Sequence, residues 1–338
     1  MHAIVAAAEQ AWPPFVLVAG LLLIGAVASA DGLFEAVGAR LAHTRLGAYG
    51  LLLALLALVA GVTAVLNLDT SVVFLTPVLV HAARRRGLDE RPFLYGSVFM
   101  ANAASLLLPG SNLTNLLVLH GSQRDGAAFA ERMLPAWLTA CTITAAFIAL
   151  RFRLEGSRAK PGDAPPLQPG IGAIATLAAA LLVVAVPNPA LPVLGLGLAA
   201  TGLRRLRPHL DTRSLALLFA LTLGLGTLAR LWHEPAHLLD GAGAVAAAGI
   251  GATTSVLINN LPAAVLLSAQ PPTHPDALLL GLNLGPNLAV SGSLSAVLWL
   301  QAARAVGARA SITTYTRLGL SLVPLSLAAT VGALLVHL

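Results

Sequence analysis

Residues 102–119 read NAASLLLPGSNLTNLLVL, and residues 283–300 read NLGPNLAVSGSLSAVLWL. The two stretches align without a gap: Asn102 meets Asn283, Gly110 meets Ser291 and Ser111 meets Gly292. Each is an apolar run broken near its middle, the first at Pro109-Gly110-Ser111-Asn112 and the second around Pro286 and Ser291-Gly292-Ser293. Proline removes a helical donor and glycine weakens a helix, so both read as helices that stop and restart. Unwound backbone in hydrocarbon leaves N–H and C=O groups unpaired at a cost of several kcal/mol each. The breaks must therefore face protein or a polar cavity.

Two further apolar regions carry interruptions. Residues 48–83 break at Asn67-Leu68-Asp69-Thr70, and residues 242–269 break at Asn259-Asn260-Leu261-Pro262. Each precedes one of the broken helices, 92–119 and 275–303. The longer basic linker His81 to Arg91 accounts for the different spacing in the first copy. A hairpin followed by a broken helix, twice in the same order, is the signature of a repeat transporter. The expected fold is an all-α polytopic membrane protein, an inverted repeat with two re-entrant hairpins and two broken helices. The first repeat is 1–152, with a crossing helix at 133–152. A cytoplasmic linker spans 153–169. The second repeat is 170–338, closed by a helix at 315–335. Within the first repeat, Asp31 to Arg45 places Leu33, Phe34, Val37 and Leu41 on one helical face, an interfacial helix.

Composition supports this class. Of 338 residues, 57% are hydrophobic and only 10% charged, and the mean hydropathy is +0.83. Soluble domains carry roughly 25% charged residues. The apolar runs are too long for barrel strands of about 10 alternating residues. The net charge of +6 is explained by topology rather than by nucleic acid. With eight crossings and two re-entrant hairpins, one face collects Arg40, Arg45, Arg84, Arg85, Arg86, Arg91, Arg151, Arg153, Arg158, Lys160, Arg204, Arg205, Arg207, Arg213, Arg304, Arg309 and Arg317. Only Arg124, Arg132 and Arg230 remain for the other. The basic face is expected in the cytoplasm of a multi-pass inner-membrane protein, with both termini extracytoplasmic. The first apolar run has no positive region before it and is not read as a cleavable signal. The single Cys141 excludes an intrachain disulfide and reads as a packing residue. His120, His233 and His237 lack metal-motif spacing, no phosphate loop occurs, and no enzyme or resident cofactor is expected.

The chemistry is expected at the breaks, where hydroxyl and amide side chains line backbone that binds ions. Helix N-termini favour anions and carbonyl ends favour cations. The candidate substrate- and ion-binding residues are Asn67, Asp69, Thr70, Ser71, Ser111, Asn112 and Thr114 in the first half. Those of the second half are Asn259, Asn260, Asn287, Ser291, Gly292 and Ser293. Asn115 and Ser255 carry the same kinds of group. Thr254 and Ser295, taken singly, read as helix packing. Asp69 is the only one of the 14 acids expected within the membrane, and such a group is a functional candidate by default.

The run from Leu33 to Pro77, SLLLPGSNLTNLL, INNLPAAVL and LGLNLGPNLAVSGSLSAVLWL together resemble the bacterial arsenical pump membrane protein. More broadly they resemble the ion transporter superfamily, which includes dicarboxylate/sodium symporters and sodium/proton antiporters. The resemblance runs from about Pro13 to Leu335. It implies export of arsenite or antimonite in exchange for protons, alone or with a separate ATPase subunit. The alternatives are transport of another anion such as a dicarboxylate, and sodium/proton antiport. The implied partners are the lipid bilayer, a small anion or neutral metalloid, and a second copy in a homodimer. Coupling is expected to protons, with sodium as the other option. By the resemblance, the family's hairpin acid falls on Asp69 and its Ser-Asn pair on Ser111 and Asn112. Its second-hairpin turn falls on Asn259, Asn260 and Pro262, and its last motif on Gly285, Pro286, Gly292, Ser293 and Leu294. The chain departs from that family at Leu68, where Asn is usual, and the two family helices that precede Pro13 are expected to be missing.

Overall fold

The computed structural model describes residues 2–120, 125–155, 170–186, 188–207, 212–232 and 234–336, and among them it is all-α, with no strand. The chain opens with α1 (His2–Ala30), α2 (Leu33–His43), α3 (Ala48–Val65) and α4 (Leu68–Arg85). Next come α5 (Arg91–Ala104), a 3₁₀ turn at Pro109–Ser111, α6 (Leu113–Val118) and α7 (Gly126–Arg151). Then follow α8 (Ile171–Ala185), α9 (Ala190–Leu203), α10 (Thr212–Leu231) and a short α11 (Glu234–His237). The last elements are α12 (Ala244–Ile258), α13 (Asn260–Leu267), α14 (Pro275–Leu284), 3₁₀ turns at Gly285–Leu288 and Val290–Gly292, α15 (Leu294–Ala305) and α16 (Ile312–Val336). Residues 156–169 of the expected linker, including Arg158 and Lys160, fall outside the described residues, as do Arg124 and His233.

Four of these helices, α1, α3, α7 and α16, have 18 or more residues and are apolar enough to cross a membrane. Leu150, Leu203, Leu257 and Val336 each stand more than 70% exposed. Water-facing surfaces do not carry such side chains in number, and lipid does. The protein is a multi-pass membrane protein.

Polar contacts gather the helix ends into two groups. At one end, Asp31 after α1 accepts from the Gly172 N–H of α8 at 2.7 Å and pairs with Arg204 after α9. Arg86, 5% exposed, donates to the Ala42, Thr44 and Leu46 carbonyls, drawing the exit of α4 to the entrance of α3. Arg84 donates to the Val306 carbonyl past α15, and Tyr49 of α3 meets Phe152 and Leu154 past α7. At the other end, Gln10 of α1 donates to the Leu117 carbonyl of α6 at 3.0 Å and to Ser268 after α13 at 3.3 Å. Arg132 of α7 pairs there with Asp276 of α14. The Asp31 end thus carries Arg84, Arg86, Arg151 and Arg204, and the Gln10 end carries Arg132 and Arg230.

This sorting fixes the directions of the interrupted elements. α3 and α4 both have their outer ends at the Asp31 end and meet at Leu66 and Asn67 inside the molecule. α12 lies parallel to α14, because Gly281 faces Ala248 and Ala252 while Gly285 faces Ala252 and Ser255. α14 starts at the Gln10 end, and α13 finishes there at Ser268. α12 and α13 therefore turn inside the molecule from the opposite end. The approach of α12 to α14 requires glycine at 281, since a Cβ there would press on the Ala252 nitrogen at 2.7 Å and the Ala248 carbonyl carbon at 2.9 Å, both rigid backbone. Gly281→Ala is expected to destabilise the protein by about 1–3 kcal/mol, the usual cost of overpacking. Thermal unfolding in detergent measures it, and an unchanged midpoint would show that the two helices can separate freely.

Candidate functional site

Four helices begin inside the protein rather than at its ends: α4, α6, α13 and α15. Each has an Asn or Ser as its N-cap. Asn67 accepts from the Thr70 N–H at 2.7 Å, Asn112 from Thr114 at 3.1 Å, Asn259 from Leu261 at 3.2 Å and Ser293 from Ala296 at 3.2 Å. These residues are good caps because a short side-chain oxygen reaches an orphan donor of the first turn. The aligned positions Asn112 and Ser293 cap the restarting halves of the two broken helices. Asn259 holds φ 80° and ψ 147°, outside the region L residues favour, at a cost of order 1–3 kcal/mol.

The freed carbonyls of the first break are satisfied locally. Ser111 donates to Ser105 O at 2.7 Å and Leu108 O at 2.5 Å, Asn115 donates to the same two oxygens, and Trp137 takes Ala104 O. In the second break, Tyr315 of α16 donates to Pro286 O at 3.0 Å and Asn259 donates to Ser291 O at 3.0 Å. Gly292 has no room for a Cβ, which would lie 2.8 Å from the Pro286 Cα. The hydroxyl of Ser111 is thus committed to the break itself, and Ser291 enters through its backbone.

A buried amide network joins the two halves. Asn283 at the end of α14 accepts from Asn112 at 2.5 Å and Ser105 at 2.7 Å, and donates to Asn115 at 2.9 Å and to Leu279 O at 2.8 Å. Asn102 of α5 donates to Asn287 at 2.7 Å. All six side chains are at most 6% exposed. The residues aligned in sequence as counterparts, Asn102 and Asn283, therefore each reach into the opposite half. Their roles as cross-links were not among the expected site residues. The alignment marked the positions but could not assign their partners.

Asp69 lies in the first turn of α4, half-buried, and accepts from Ser295 of α15 at 2.7 Å. Ser295 read from sequence as helix packing. Its hydroxyl does join two packed helices, and the partner it bonds across the two halves is the Asp69 carboxylate. Thr254 does bond its own helix, to Ile250 O at 2.7 Å. Around Asp69 several buried polar atoms have no hydrogen-bond partner: Asn67 Nδ2, Thr70 Oγ1 and Ser71 Oγ. Thr70 is pressed against α1 at Gly25, whose missing side chain makes room for it. Unpaired buried polar groups each cost about 1–3 kcal/mol, so such a cluster calls for a function. Asn260, 5% exposed, opens α13, which packs on α6. The expected residues thus fall into an Asp69 group on α4 and α15, an Asn112 group on α6 and α14, and an Asn259 group between α13 and the second break.

Against known families, residues 1–332 match the family model described as CitMHS, citrate transporter. The chain belongs to the CitMHS family. It is a secondary transporter of a small anion or solute, and not an enzyme. An uncharacterized transporter of Mycobacterium tuberculosis is 26% identical to this CitMHS protein, covering 94% of this chain and 84% of the relative. A silicon efflux transporter of Oryza sativa subsp. japonica is 26% identical over 42% of this chain and 30% of its own length. In fold, the YdaH transporter of Alcanivorax borkumensis aligns with a TM-score of 0.59 at 16% identity, over 99% of this chain and 86% of that one. These matches overturn the resemblance to the arsenical pump membrane protein and, with it, the arsenite and antimonite reading. The physical reason lies in the motifs. Ser-Asn, Asn-Asn-Leu-Pro and Gly-Pro…Gly-Ser-Leu cap helices and close breaks in this CitMHS protein, and those tasks are the same whatever the substrate. Among the described residues, no cluster of His, Cys, Asp and Glu could hold a metal ion.

Proposed function

We propose that this CitMHS protein carries a small carboxylate anion across the membrane, coupled through Asp69 to a proton or a sodium ion. The supporting observation is the set of four capped helix N-termini inside the protein. Those of α4 and α15 converge on the Asp69 carboxylate, and those of α6 and α13 offer the partial positive charge of a helix start, which favours a substrate carboxylate. Asp69 favours a cation instead: a proton would sit on the carboxylate itself, and the unpaired oxygens of Thr70 and Ser71 on the same turn are hard ligands of the kind a sodium ion takes. The family description points to carboxylates as the anion class.

In this reading residues 1–152 and 170–338 are inverted repeats joined by 153–169. The α3–α4 and α12–α13 pairs are hairpins that enter the membrane from opposite faces. The arginine-rich Asp31 end faces the cytoplasm, and both termini lie outside. Asn67, Asp69, Thr70 and Ser71 serve the coupling ion. Asn112, Thr114, Asn260, Asn287, Gly292 and Ser293 shape the anion site, with Ser111, Asn259 and Ser291 satisfying the backbone of the breaks.

Purified protein in proteoliposomes tests this. Labelled citrate or succinate is expected to accumulate under an imposed proton or sodium gradient. Unlabelled carboxylates should compete, and chloride and sulfate should not. Gradient-driven sodium/proton exchange with no flux of any di- or tricarboxylate would replace the proposal with antiport.

A further inference from the structure

Arg230, in the last turn of α10, has no acid paired with it among the described residues. Its Nη1 donates to Gly226 O at 2.9 Å and its Nη2 to Gln10 Oε1 at 2.8 Å. Both acceptors are neutral, and Arg230 makes no ion pair among the described residues. Arg132, at the same end, is paired with Asp276. Gln10 is 3% exposed and held in place, since its Nε2 is taken by Leu117 O and Ser268. The amide oxygen is therefore aimed at the guanidinium by three other elements, α1, α6 and the exit of α13. Neutral oxygens offset only part of the cost of a half-buried charge, and a carboxylate is the natural complement of a guanidinium fork.

The space for one exists. Arg230, His120, Gln10, Ser268 and Pro272 line a cavity of about 270 Å³. Leu119 and His120 also line a second cavity of about 610 Å³, which reaches Pro109 and Gly110 on the first break. His120 thus stands between the two. Partial burial and then the Arg230 charge hold its imidazole below the ordinary range, with Glu9 pulling the other way. A neutral imidazole leaves Arg230 as the cavity's positive charge at neutral pH. Along the chain, His120 is only about 12 Å from Asn112 at 1.5 Å per residue.

We propose that the Arg230–His120 cavity is a capture site for the transported carboxylate, filled before the anion reaches the first break. This rests on the carboxylate reading above and adds a second, peripheral anion site to it. The arginine concentrates the anion at the Gln10 end, and His120 passes it to the larger cavity.

The test reads the cavity without transport. Ala269→Cys, in a Cys141→Ala background, places a thiol on the cavity wall. In detergent, a negatively charged thiosulfonate should modify it faster than a positively charged one. Citrate should slow that modification where chloride at equal ionic strength does not. Arg230→Gln should remove both effects, and Arg230→Lys should keep the charge preference. In proteoliposomes, Arg230→Gln should raise KM for citrate or succinate about tenfold at near-constant kcat, the loss of one charge-assisted hydrogen bond. Citrate protection that survives Arg230→Gln, or a charge preference indifferent to it, overturns the proposal. Carboxylate transport with no citrate protection of the introduced thiol overturns the capture site and leaves the transport reading standing. Citrate protection without any carboxylate flux upholds an anion site while removing the transport reading it was built on.

Discussion

Asp69→Asn is expected to abolish gradient-driven transport while leaving the folded protein intact. The amide keeps the shape of the side chain and an oxygen to accept from Ser295, which lies 2.7 Å from the carboxylate. What it removes is the negative charge. A charged partner is worth about 3 kcal/mol to a bound cation, and that loss lowers affinity about 100-fold. At that factor the coupling ion no longer drives accumulation. Substrate exchange at equal concentrations on both sides should survive in part, because exchange need not release the coupling ion. Flux in vesicles measures both. Full accumulation by Asp69→Asn under either gradient would remove Asp69 from the coupling role. If the wild type responds to sodium and not to pH, Asp69 remains the site and sodium is the ion. Ser295→Ala is the companion variant. It removes the Ser295 hydrogen bond to Asp69 and should alter ion affinity more than the melting temperature.

The second large effect is expected at Asn283. Four side-chain and backbone partners converge on this amide, from Ser105, Asn112, Asn115 and Leu279. Asn283→Ala would strand Asn112 Nδ2 and Asn115 Oδ1 in a buried site. At about 1–3 kcal/mol per stranded group, a destabilisation of about 2–6 kcal/mol follows. Asn112 also caps α6, so transport should fall with stability. Asn283→Leu restores the volume without the hydrogen bonds. If it melts as low as Asn283→Ala, the bonds carry the effect. If it melts like the wild type, packing does, and the network is dispensable.

The arsenite reading shows how far such motifs can mislead. Asn112, Ser293, Asn259 and Pro262 sit at or beside the starts of helices inside the protein. A restarted helix needs a cap whether it carries an oxyanion or a carboxylate. Substrate choice rests on the shape and charge of the space between those caps, which a string of cap residues does not encode. The match along residues 1–332 draws on the whole chain, and it names a different family.

What the sequence by itself determined is local and periodic. Apolar runs of membrane length, their interruptions at Asn67, Pro109, Asn259 and Pro286, and the lopsided distribution of arginine all follow from properties of neighbouring residues. Helix start, helix stop and burial in lipid are decided within a few turns, so a one-dimensional pattern carries them. The amphipathic run that becomes α2 was legible for the same reason. What only the tertiary structure decided is which distant groups meet. Asp69 lies 226 residues from Ser295, Asn102 lies 185 from Asn287, and Gln10 lies 220 from Arg230. Ser295 looked like any hydroxyl in a membrane helix, and Gln10 like any polar residue near a helix end. Their partners arrive only when α4 packs on α15 and α1 on α10, through glycines and apolar faces whose sequence pattern does not name the opposite helix. A hydrogen bond depends on positions to within a fraction of an ångström, and that precision comes from the packed helices rather than from the order of residues along the chain.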